Sequence, residues 1–98
     1  MNTNEYVTIS HFDEKTQEEE ISYSGRANVH GNIKIGDLSH GRRQENGFTV
    51  RIPTKDTILV SCGDKIFCDK FPHPLAVVGF ADNRRGSHFS KHYKLLVK

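Results

Sequence analysis

Tryptophan is absent from this chain, methionine occurs once, and only three prolines and two cysteines stand among 98 residues. Two cysteines are too few for a disulfide scaffold. Cys62 and Cys68 are also badly placed for a single bridge. If Gly63-Asp64 closes a two-residue hairpin, the two thiols point to opposite faces of the sheet. Both are therefore expected to be reduced, with Cys68 buried. Long apolar runs are missing too, the longest being stretches such as Ile58–Val60 and Leu75–Val78. A membrane-spanning helix needs about 20 such residues, so no membrane partner is expected. The opening Met1-Asn2-Thr3-Asn4-Glu5 lacks a basic stretch followed by an apolar one, and a cytoplasmic location follows as the expectation. No window sustains an apolar stripe of helical period, which argues against a helical bundle. Nucleophile elbow, P-loop and GxGxxG signatures are lacking, as are paired CxxC knuckles.

What remains is dominated by strand signals. Hydrophobic residues make up 35% of the chain, enough for one modest core and a single domain over 1–98. Val7 and Ile9 alternate with Tyr6, Thr8 and Ser10 over Glu5–Phe12, a β pattern. Similar short patterns recur at 21–27, 29–35, 48–52, 57–62, 65–69, 75–81 and 88–97. The 57–62 and 65–69 pair is the clearest hairpin, apolar on both faces and so expected at the sheet centre. Residues 13–20 read as one turn of helix or a long hairpin tip, with an acidic, solvated loop the favoured expectation. The pattern predicts an all-β domain: a small β-barrel or sandwich of about seven short antiparallel strands.

Charge is unevenly distributed along this frame. Residues 1–25 hold six acids and one base, whereas residues 26–98 hold thirteen bases and six acids. Such segregation permits head-to-tail self-association, so a homo-oligomer is allowed. Two similar turns carry the most distinctive basic groups. Residues 39–47 contain His40, Arg42 and Arg43, and residues 82–88 contain Arg84, Arg85 and His88. Guanidiniums offer rigid forks of donors, and adjacent glycines let backbone N–H groups approach an anion. Lys34 and Arg51, on the polar sides of their strands, and Lys91 and Lys94 near the second turn would extend the patch. His88 and His92 are four residues apart, which on a strand separates them by roughly 13 Å. No metal site and no cofactor is therefore expected.

These residues predict a non-enzymatic binding module whose Arg-bearing turns hold a phosphodiester ligand, chiefly single-stranded nucleic acid or RNA. A second reading is a small inhibitor or adaptor, of the kind mobile elements encode, whose arginines anchor it to a protein partner. A third comes from Asp37-Leu38-Ser39-His40-Gly41. This stretch resembles the Asp-x-Ser-x-x-Gly of PilZ domains, β-barrels of about this size that bind cyclic diguanylate with that stretch and an upstream Arg-x-x-x-Arg. Here Arg42 stands where the motif ends in Gly, and Arg26 is the only upstream arginine. The resemblance implies a nucleotide- or cyclic-dinucleotide-binding barrel that contacts phosphate through residues 37–43.

Overall fold

The computed structural model describes residues 3–35, 44–84 and 91–98, with the side chains of 32–35 and 44–46 left aside. Six strands are present: β1 (Glu5–Asp13), β2 (Glu18–Ile35), β3 (Gln44–Pro53), β4 (Lys65–Cys68), β5 (Leu75–Asn83) and β6 (His92–Val97). They close into an antiparallel barrel in the order β1-β2-β3-β6-β5-β4, with β4 returning to pair with β1. The all-β barrel is the architecture that the alternating apolar pattern predicts. Val7, Ile9, Val29, Val50, Ile52, Ile66 and Leu95 are each fully buried inside it. Residues between them along each strand face outward, as a two-residue period requires.

The strand count falls to six because two expected strands are one and a third, 57–62, is not a strand. Residues 21–27 and 29–35 belong to the single strand β2, which pairs with β1 up to Ala27 and with β3 from Asn28 onward. One strand thus passes from one wall of the barrel to the next. Near the crossing, the Tyr23 hydroxyl donates to the Arg26 carbonyl at 2.6 Å. A Cβ at Gly25 would lie 2.8 Å from that same hydroxyl oxygen, so a larger residue there would have to displace the end of the Tyr23 side chain.

The acidic segment 13–20 is the tip of a hairpin, with Asp13 and 18–20 in strand and 14–17 in the exposed turn. Asp13 pairs with Glu18, and the Gln17 amide donates to the Asp13 carbonyl at 2.8 Å to close the tip. No helix forms among the described residues.

The expected hairpin of 57–62 with 65–69 does not form. Residues 57–61 join no ladder and cross one mouth of the barrel instead. Their polar groups bond elsewhere: the Ile58 amide donates to the Tyr93 hydroxyl at 3.2 Å, and the Ser61 amide to Asp64 Oδ2 at 2.8 Å. Ile58 plugs that mouth while Leu59 stays 53% exposed. Gly63 takes a φ of 98° at the turn that follows, a value suited to glycine. Cys62 is exposed and Cys68 only half-buried, so the expected burial of Cys68 is corrected; both are free thiols. At the opposite mouth Phe71 is buried against Phe48, their rings 4.7 Å apart.

A bulge shifts the β1–β2 register, because Ile9 pairs with Tyr23 and Ser10 with Ile21. Ser22 is the extra residue, and its buried hydroxyl has no hydrogen-bond partner. Desolvation without a partner is a cost that a methyl group does not carry. Ser22→Ala is therefore expected to leave stability unchanged or raise it. Ile9→Ala in the adjacent core should lose about 2–5 kcal/mol. Urea unfolding of both variants checks the pair.

Candidate functional site

The outer surface of β3 is where the structure gathers basic residues. Val50 and Ile52 point into the core, as do Tyr93 and Leu95 on β6. The alternation therefore turns Arg51 and Lys94 outward, and the ladder sets them directly opposite each other. Asn28 of β2 and Ala81 of β5 continue the same row. His30 on one side and His92 on the other stand in the neighbouring outward rows. Neither β6 nor the stretch Gly47–Pro53 contains an acid, and neither Arg51 nor Lys94 has an ion-pair partner among the described residues. Like charges directly opposite on a sheet repel and destabilise it. Both side chains are half-buried.

The same strand separates the two Arg-bearing turns. Ile35 pairs with Gln44 at the stem of the first, and Asn83 pairs with His92 at the stem of the second. Gln44 begins β3, whereas His92 pairs with Pro53 at its end. The stems therefore sit at opposite ends of β3, about 30 Å apart at the usual rise per residue. His40, Arg42, Arg43, Arg85 and His88 lie outside the described residues, as does the PilZ-like stretch 37–41. Lys34 pairs with Glu45 in the backbone ladder. Lys91 is exposed beside the second stem.

Arg84 has a different occupation from its expected ligand-binding one. Its Nε and Nη2 donate to the two Asp82 carboxylate oxygens at 2.8 and 2.7 Å. Its Nη1 donates to the Lys55 carbonyl at 3.1 Å and the Thr57 hydroxyl at 3.2 Å. The guanidinium also lies 4.8 Å from the Tyr93 ring centroid, in cation–π range. The hydrogen bond to Asp82 holds the guanidinium above its ordinary pKa. Arg84 thus clips the mouth-crossing segment to the β5–β6 hairpin and is charge-matched in place.

Sequence reasoning missed a second polar cluster. Asp64, only 4% exposed, binds His11 Nδ1 through Oδ2 at 2.7 Å. The Phe12 amide donates to its Oδ1 at 3.3 Å and the Ser61 amide to its Oδ2. One carboxylate thereby ties β1 to the turn before β4. The pairing spans 53 residues in sequence, so no local motif could announce it. A cleft of about 560 Å³ lies alongside, lined by His11, Phe12, Lys15, Glu19, Cys62 and Asp64 among others. Among the described residues no three His, Cys, Asp or Glu side chains form a metal-holding group.

Compared with known proteins, the chain matches no family model, no curated protein and no solved structure. The chemistry of the site has to be read from its own residues.

Removing the Asp64 carboxylate strands two part-buried amide donors and the His11 ring. Asp64→Ala is expected to cost about 1–3 kcal/mol, seen as a lower urea midpoint. An unchanged midpoint would show that the cluster contributes nothing to holding the barrel mouth.

Proposed function

We propose that the outer face of β3 and β6 binds an extended phosphodiester chain, most simply single-stranded nucleic acid, and performs no catalysis on it. The observation that carries this reading is the unmatched Arg51–Lys94 pair, which stands on β3 two residues from the stem of the second Arg-bearing turn and seven from that of the first. Turn stems about 30 Å apart favour a long ligand that follows the strand over a compact one gripped from both ends. A phosphate seated between Arg51 and Lys94 would relieve their mutual repulsion, a gain specific to an anionic ligand. Among the described aromatics, half-exposed Phe80 on β5 stands next to Ala81 of the Arg51–Lys94 row. Tyr93 points into the core, and Tyr6 and Tyr23 belong to the β1–β2 wall. Affinity would come chiefly from phosphates, with little sequence preference.

An acidic protein surface is the rival occupant of the same face. Exposed Leu96, in the row next to Lys94, favours it by offering an apolar anchor beside the charges. A cyclic dinucleotide, by contrast, would engage one turn alone.

Phosphate-dominated binding is steep in salt. With four phosphate contacts, single-strand affinity should fall about 50-fold between 50 and 200 mM salt. Lys94→Ala should reduce the slope by about 0.7. Fluorescence anisotropy with a labelled oligonucleotide reads both. Affinity that is flat across this range would sink the reading, and saturable one-to-one binding of a cyclic dinucleotide by calorimetry would favour the small-ligand alternative.

A further inference from the structure

We propose that the acidic β1–β2 hairpin of one molecule docks on the Arg51–Lys94 face of a second copy, so that the protein self-associates head to tail. The hairpin tip carries Asp13, Glu14, Glu18, Glu19 and Glu20 against a single base, Lys15. Asp13 and Glu18 are directly opposite in the ladder, as Arg51 and Lys94 are on β3 and β6. The barrel thus holds two like-charged cross-strand pairs of opposite sign, each repulsive in a lone molecule. None of the five tip carboxylates has an ion-pair partner among the described residues. Docking one pair against the other neutralises both, which selects a second copy as the occupant.

The contact cannot be made within one molecule. Around the ring β1-β2-β3-β6-β5-β4, β1 and β6 are three strands apart in either direction. These two strands form opposite walls, and along β2, which does pair with β3, the tip residues Glu18–Glu20 lie eight to ten residues, roughly 26–33 Å, from Asn28 beside Arg51. The tip is also short and paired as far as Asp13 and Glu18, so it does not fold back around the barrel. Between copies, the two surfaces lie on different parts of each molecule. The interface is therefore heterologous, and unless the rotation closes a ring it propagates as a linear assembly. Its attraction is between exposed charges and is screened by salt. A polyanion would compete for the same basic face.

The proposal shares that face with the phosphodiester reading but is tested without any nucleic acid. Sedimentation velocity of the full chain should show a weight-average mass that rises with concentration in low salt. It should return to the 11.1 kDa monomer at about 0.3 M salt, where the screening length is short. Reversing the tip (Glu18→Lys with Glu19→Lys) or the face (Arg51→Glu with Lys94→Glu) should each give a monomer. Circular dichroism checks that both variants fold. Mixing the two should restore association, because each now offers what the other lacks. A wild-type chain that stays monomeric in low salt, association that survives either reversal, or a mixture that stays monomeric would overturn the proposal. Association without oligonucleotide binding would leave it standing and remove the phosphodiester reading, and the opposite pair of results would do the reverse.

Discussion

Barrel closure rests on β4, four residues that pair with β1 on one side and touch β5 through only two partnered positions on the other. Every inward residue depends on that closure, because the core is a ring of alternate positions with no second layer behind it. Val7 and Ile9 are buried only while Ile66 stands beside them. The short strand is reinforced at its start. Asp64 ties His11 and Phe12 to the turn, while the Gly63 amide and the Asp64 carbonyl bond Val77 on β5. A buried carboxylate thus supplies cross-links where the ladder is thinnest.

Closure also sorts charge by wall. Acids gathered near the start of the chain occupy the β1–β2 hairpin, and bases from two distant segments meet on β3 and β6. Because β2 carries its acids eight to ten residues from Asn28, the partner of Arg51, opposite charges do not meet by local contact. The molecule is left with an electrical polarity across its width, although its formal net charge is only +2. Polarity of this kind guides encounters with charged partners over distances comparable to the screening length.

Much of the barrel was legible in the residues. Two-residue alternation in β1, β3 and β6 named the inward side chains Val7, Ile9, Val50, Ile52, Tyr93, Leu95 and Val97 correctly. The misreadings have physical causes. Thr57–Ser61 is as apolar as a strand, but it spends those residues as a plug across the barrel mouth, where a tyrosine hydroxyl and a carboxylate satisfy its amides. Residues 21–35 were divided at Asn28, where β2 passes from pairing with β1 to pairing with β3 without a break. The candidate site was partly legible. Arg51 and Lys94 were picked out as polar-side residues, but their direct opposition depends on β6 pairing with β3 across the chain. Arg84 looked like a ligand contact in a one-dimensional reading, since nothing in sequence shows that Lys55 and Thr57 come within its reach.

The pairing order has a consequence for how the chain reaches this state. β1, β2 and β3 are sequential neighbours and can zip as a meander, with each turn bringing the next strand alongside. β1, however, cannot satisfy its second edge until β4 arrives, more than fifty residues later. Contacts of such sequence separation form slowly, because loop closure must precede any reward. During that interval Val7 and Ile9 lie on an open, hydrogen-bond-hungry edge, the kind that recruits strands from neighbouring chains. Lys65 and the exposed carboxylates of the hairpin border this edge. The charge that polarises the finished barrel would, earlier in its life, keep half-built copies apart.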